Sequence, residues 1–212
     1  MNPTEKQNDL GLLITEDLKW NSHTDKVTKK AMSMIYLIKR VFKNLSIEGA
    51  SKIYKTYVRP MIEYAIPVWN PQYKKNIESL EQIQRKATKI SSKIRKFDYP
   101  KRMEILNLTT HEERRLRGDL IEIYKLSTNY YSCFNTEENE FLTFNQSSRR
   151  GHQMKLTKER TAKNTRSHFL TNRVFNEWNS LPERVIESTS VNQFKTLYDK
   201  CKKQERQQHQ QL

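Results

Sequence analysis

The chain opens on MNPTEKQN and then on an apolar run in which Leu10, Leu12 and Ile14 alternate with Gly11 and Leu13. That is the two-residue period of a strand. A strand needs a neighbour for its backbone donors and acceptors, and the preceding segment looks too short and too polar to supply one. The pattern therefore predicts an orphan strand at 10–14. From Ser22 the period becomes helical. Val27, Ala31, Met34, Ile38 and Val41 form one stripe, with Lys29, Arg40 and Lys43 opposite. A second helix is predicted from Ser46, a favourable N-cap, with Ile47, Ala50, Ile53, Tyr54 and Tyr57 on one face. VRPMIEYAIPVWNPQY, at 58–73, then places three prolines where only kinked or broken helical pieces fit. Asn70-Pro71 reads as a turn.

A third long helix is predicted over 75–95, with Ile77, Leu80, Ile83, Ala87, Ile90 and Ile94 inward. A short helix follows from Pro100, a residue suited to a first helical position. Thr110 and Glu113 form a capping box for a helix that buries Leu116, Leu120, Ile123 and Tyr124. Gly118 lies inside it, marking either a close backbone approach or an incidental position. Residues 128–150 lose periodicity and read as a surface loop. HQMKLT, 152–157, alternates like a strand, with FLTF, 141–144, as its candidate partner. Helices return at about 165–180, through Leu170, Val174 and Trp178, and at about 190–201, capped by Ser190 and Gln193. The tail from 202 carries no apolar residue before its final leucine and is expected to be disordered.

Four glycines in 212 residues favour long helices over a turn-rich sheet fold. The expected class is mostly α: a multi-helix bundle with a short orphan N-terminal strand and a small β-hairpin. The expected divisions are 1–20, a strand remnant; 21–127, a helical domain; 128–150, a loop; 151–201, a helical extension; and 202–212, a tail. No apolar stretch approaches the roughly 20 residues of a membrane span, and no basic-then-apolar leader opens the chain. An intracellular protein, nuclear or cytoplasmic, is expected, with no membrane partner.

Charge changes the picture most. A net charge of +15 implies a polyanionic partner, and nucleic acid is the commonest; a merely lysine-rich soluble protein is the alternative. Arg85, Lys89, Lys93 and Lys96 fall within about one quadrant of the predicted third helix, a stripe able to track phosphates or simply a solvated face. RRLRGD supplies Arg114, Arg115 and Arg117, which point to different sides. SSRRGHQMK places Arg149, Arg150, His152 and Lys155 around a glycine, where guanidinium and backbone N–H groups could hold phosphate. Cys133 and Cys201 are too few for a disulfide framework or zinc site, and Cys201 falls in step with Val191, Phe194 and Leu197 as a core residue. His111-Glu112-Glu113 lacks the second histidine of a zinc-protease helix. No nucleophile motif, phosphate loop or paired aspartate is present, so no cofactor and no autonomous catalysis are expected.

Seven stretches in order, DLGLLITEDLKWNSHTDKVTKKA, IYKTYVRPMIEYAIPVWNP, LEQIQRKATK, YPKRMEILNL, EERRLRGDLIEIYKL, RRGHQMKL and FNEWNSLPERVIESTSVNQFK, cover about residues 9–200. Together they resemble the C-terminal part of non-LTR retrotransposon reverse transcriptases of the jockey-like and chicken-repeat branch. The resemblance implies a palm-edge strand at 10–14, then a thumb and C-terminal extension that grip an RNA or DNA template-primer duplex by its backbone. It places Trp20 and His23 at the palm-thumb junction, where packing is their expected role. The endonuclease, fingers, most of the palm and the YxDD aspartates would lie upstream of Met1, and no zinc knuckle is implied. The resemblance thus implies a fragment without polymerase activity of its own. Two other readings stand beside it: a co-opted interaction module whose strand at 10–14 pairs with a protein partner, and a truncated gene model of a complete polymerase.

Overall fold

A computed structural model describes residues 5–128, 130–131, 142–145, 151–162 and 164–209. It is mostly α-helical with a small N-terminal β-hairpin. The chain divides into two compact units, Met1–Arg115 and Leu116–Leu212. The division falls at Leu116, because Leu120, Ile123 and Tyr124 belong to the second core, and the loop expected over 128–150 lies largely outside the described residues.

The first unit corrects the orphan strand. β1 (Lys6–Asp9) pairs antiparallel with β2 (Leu12–Thr15), with Lys6 opposite Thr15 and Asp9 opposite Leu12. Leu10 and Gly11 turn the chain with φ of 44° and 86°, the two positive values of a tight hairpin turn. The ladder is made by backbone groups, which KQND carries as well as any apolar segment. Exposed along its whole length, β1 needs no hydrophobic signature. On the other edge of β2, the Leu13 N–H donates to His23 Nδ1 at 3.1 Å.

α1 (Asn21–Val41) buries Val27, Ala31, Ile35 and Ile38. Ile35 takes a place the expected stripe lacked, and Val41 ends 61% exposed. α2 (Ile47–Ile53) starts on Ser46, whose Oγ accepts from the Gly49 N–H at 3.0 Å. A π turn, Tyr54–Val58, follows, closed by the Arg59 N–H on the Tyr54 carbonyl. This wider turn precedes Pro60, which has no N–H to give. It also turns Val58 inward and leaves Tyr57, the expected core residue, 56% exposed. α3 (Arg59–Glu63) and α4 (Ile66–Trp69) are the broken pieces expected, separated by Ala65 at φ 51°.

α5 spans Lys74–Ala87, and the predicted helix over 75–95 stops there. Of the expected inward set, Leu80, Ile83, Ala87, Ile90 and Ile94 are buried and Ile77 is half-buried; Ile90 and Ile94 lie beyond the helix, Ile94 in a 3₁₀ turn, Ser92–Ile94. The hydroxyls of TKISS explain the stop. Thr88 Oγ1 donates to the Arg85 carbonyl at 2.9 Å, and buried Ser91 donates to the Leu45 carbonyl at 2.9 Å, side-chain bonds that compete with helix continuation. α6 (Tyr99–Ile105) begins on Asp98, and α7 (His111–Ser127) on the capping box. Both reciprocal bonds of that box form: Glu113 N–H to Thr110 Oγ1 at 3.2 Å, and Thr110 N–H to Glu113 Oε2 at 3.1 Å.

In the second unit, Leu120, Ile123 and Tyr124 of α7 join one core with Leu170, Val174 and Trp178 of α9 (Leu170–Ser180). Phe194, Tyr198 and Cys201 of α11 (Val191–His209) complete it. α8 (Asn164–Ser167) and α10 (Glu183–Ile186) are short connectors. The expected pairing of 141–144 with 152–157 reduces, among the described residues, to a bridge between Phe144 and Leu156. Asn179 reads the same segment, accepting from the Leu156 N–H at 2.9 Å and donating to its carbonyl at 3.0 Å. A bidentate pair, Arg173 with Asp119 at 2.7 and 2.8 Å, is largely buried in this unit. α11 corrects the expected tail: residues 202–209 are helical. Lys, Gln, Glu and Arg favour helix without burial, and Lys202 bonds Glu205 at 2.9 Å.

Gly118 is an incidental glycine: a Cβ there meets nothing within 4 Å. Gly118→Ala is expected to stabilise the protein by about 0.5–1 kcal/mol, read by urea unfolding. A loss of stability would mean that the neighbouring backbone needs glycine.

Candidate functional site

Helices α1 and α5 pack side by side and run in the same direction. Asn76 donates to Asn21 Oδ1 at 2.6 Å near their N-terminal ends, and Ser91 bonds the Leu45 carbonyl beyond their C-terminal ends. The last turns of both are basic: Lys39 and Arg40 in α1, Arg85 and Lys86 in α5. Two aligned C-termini favour cations through their partial negative charge, which accounts for a basic character at this end.

The arrangement goes further than dipoles require. Lys39, Lys86, Lys89 and Arg95 are all exposed. They stand close enough that, after partial burial, the charges of Arg95, Lys86 and Lys89 hold the Lys39 ammonium below the ordinary lysine pKa. Among the described residues, none of the four has a carboxylate within ion-pairing distance. Other exposed lysines do pair, as Lys52 with Glu48 and Lys101 with Glu104, both at 2.8 Å. Four exposed cations, from the end of α1, the end of α5 and the segment after α5, thus form a basic cluster with no ion-pair partner among the described residues.

The expected stripe is only partly retained. Arg85, Lys89, Lys93 and Lys96 are all exposed, but only Arg85 lies within α5. Lys89 follows the helix, Lys93 sits in the 3₁₀ turn and Lys96 beyond it, so no single helical face carries them. Arg85 stacks over the Tyr99 ring at 4.4 Å, and Lys96 lies 5.5 Å from the Phe97 ring. Lys89 is the member of the stripe that joins the cluster around Lys39.

The remaining expected residues are placed differently. Arg114 makes a bidentate pair with Glu63 of α3. Arg115 is 5% exposed and belongs to the interior. Arg117 is bidentate with Asp199 at 2.7 and 2.8 Å. These three arginines are engaged by the protein's own carboxylates or core. His152 is buried, its Nε2–H donating to the Trp178 carbonyl at 3.1 Å, and burial lowers its pKa. It cannot face a phosphate in solvent. Lys155 is half-buried and stands within about van der Waals reach of Gly151. Arg149, Arg150 and Cys133 lie outside the described residues. His23 has the packing role expected: it is buried and meets Trp69 edge-on at 4.7 Å, while Trp20 packs partly buried against the same core.

His111 takes a structural part that the sequence did not announce. Tyr54 donates its hydroxyl hydrogen to Gln84 Oε1 at 2.6 Å and so accepts from His111 Nε2–H at 3.1 Å. Gln84 passes the network on to the Thr109 carbonyl at 3.0 Å. Burial first, and then the charges of Arg115, Arg114 and Arg59, push the His111 pKa down to about 3.

No family model matches the chain, and no solved structure matches it. An uncharacterized protein of Caenorhabditis elegans is 30% identical over 76 residues, a match that covers 36% of this chain and 38% of that protein. Among the described residues, no helix is long and apolar enough to cross a membrane.

Proposed function

We propose that the chain is a nucleic-acid-binding module that holds an RNA or DNA duplex by its phosphates at the cluster of Lys39, Lys86, Lys89 and Arg95. The observation that carries this reading is the cluster itself: four exposed cations, three of which lower the pKa of Lys39, with no carboxylate within ion-pairing distance among the described residues. Such an arrangement gains most from an external polyanion whose charges repeat at short intervals. The resemblance of the seven sequence stretches supports the same assignment, as the thumb and C-terminal segment of a non-LTR reverse transcriptase. The sequence contains no consecutive aspartates and hence no YxDD, so the module binds without polymerising. The rival reading, a protein partner added to strand 10–14, has less support, because β1 already pairs one edge of that strand.

Fluorescence anisotropy on a labelled 20-base-pair duplex tests the proposal. Affinity is expected to fall with salt at a slope near 0.9 per phosphate contact, about 3–4 for the four cations. Salt-insensitive binding, or none at low salt, would overturn it. Purified protein supplied with primer, template and Mg²⁺ or Mn²⁺ is expected to give no extension; extension that survives repurification would contradict the module reading.

A further inference from the structure

We propose that Phe97 is a stacking platform for an unpaired base, so that the module prefers a duplex that runs into a single strand. The site deepens the nucleic-acid reading above and rests on it. Phe97 follows Arg95, a member of the basic cluster, by two residues, and is 38% exposed. Lys96 Nζ stands 5.5 Å from the ring centroid, so a cation able to hold a phosphate lies beside an exposed aromatic ring.

A singly exposed apolar residue is ordinary on a protein surface; the way this one is held is not. Its N–H donates to the Ile94 carbonyl at 3.1 Å, and its own carbonyl accepts from Arg102. Arg102 is buried, donates also to Thr88 Oγ1 at 3.0 Å, and lies 5.7 Å from the Tyr99 ring. A buried guanidinium thus fixes the backbone that presents the Phe97 ring to solvent. A platform already ordered gives up little freedom when a base settles on it. Two residues further on, Tyr99 carries exposed Arg85 over its ring at 4.4 Å.

The carboxylates of this region are engaged within the protein. Glu81 accepts from the Tyr99 hydroxyl and from the His111 N–H, and Asp98 accepts from the Lys101 N–H. Cations interleaved with aromatic rings suit a single strand, whose phosphates meet the cations while a base lays its π-face on a ring. Among the described residues, Tyr130 is the other exposed ring with a cation over it, Lys125 at 5.7 Å. That lysine already bonds the Tyr131 hydroxyl at 3.1 Å and Glu122 at 3.3 Å, so its charge is matched internally.

Fluorescence anisotropy on the intact protein tests the inference with three labelled probes. One is a blunt duplex, one the same duplex with a short thymidine overhang, and one carries an abasic overhang of equal length. The two overhangs have the same phosphates and differ only in their bases. The thymidine probe is expected to bind at least about fivefold tighter than the abasic one, the low end for one stacked base. In Phe97→Leu, which keeps apolar bulk and loses the π-face, that ratio is expected to fall to about one. Phe97→Trp is expected to keep it, with melting temperatures confirming that both variants are folded. A ratio of about one in the unaltered protein, or a ratio that persists in Phe97→Leu, would overturn the proposal. Salt-dependent binding of the blunt duplex beside a ratio of one would leave the duplex reading standing and this inference fallen. No binding of the blunt duplex, with a Phe97-dependent ratio on the overhang probes, would keep the platform and make a single strand the substrate.

Discussion

Acidification from pH 6.5 to 4.5 is expected to cost the first unit about 2–3 kcal/mol through His111 alone. The folded pKa of this group is about 3, against about 6.5 in the unfolded chain. Between those values the unfolded chain binds a proton that the folded chain does not. The contribution is therefore fully present above about pH 6.5 and is lost as pH falls towards 3. The cause is structural: a second N–H on this ring would be buried beside Arg115, Arg114 and Arg59, while Nε2–H already serves Tyr54. His23 and His152, whose pKa values are lowered first by burial, act in the same direction. Protonating His23 would also cost the bond it accepts from the Leu13 N–H and so loosen the hairpin. Urea unfolding at a series of pH values reads the slope. His111→Gln can keep a donor to Tyr54 without titrating, so it is expected to be less stable at pH 7 but flatter with pH. An unchanged pH profile in that variant would remove His111 as the cause.

Replacing Lys39, Lys86, Lys89 and Arg95 together by glutamine is expected to lower duplex affinity at least about a hundredfold at 50 mM salt. The same change is expected to leave folding stability within about 0.5 kcal/mol. All four side chains are exposed and none takes part in an ion pair among the described residues, so their removal breaks no such contact with a carboxylate. Glutamine has nearly the helix propensity of lysine and arginine, which protects the last turns of α1 and α5. A variant at Arg114 is the instructive contrast. Arg114→Gln removes the bidentate partner of Glu63, leaving Arg59 at 3.9 Å, and is expected to disturb the fold more than the binding.

What could be read from the sequence was local. The capping box at Thr110 and Glu113, the cap at Ser46 and the inward set Leu80, Ile83, Ala87, Ile90 and Ile94 each follow from residues a few positions apart, and each is present. The same inward set misled about helix length, because turns after Ala87 and then the 3₁₀ turn keep a spacing of about three to four residues and leave Ile90 and Ile94 buried without an α-helix. β1 was invisible because a fully exposed strand of KQND has no apolar alternation to detect. The cluster was half visible. Lys89 was found through its helix, but Lys39 reaches it only because α1 and α5 run parallel, a tertiary fact with no local signal. Conversely, Arg114 and Arg117 looked available because their partners, Glu63 and Asp199, are remote in sequence.

The salt dependence of duplex binding, compared between the protein and its quadruple glutamine variant, tests the central claim most directly. If the four cations contact phosphates, the magnitude of the log K versus log salt slope falls by about 3–4 in the variant, at unchanged melting temperature. Equal slopes and equal affinities would contradict the account and return the cluster to ordinary solvated surface.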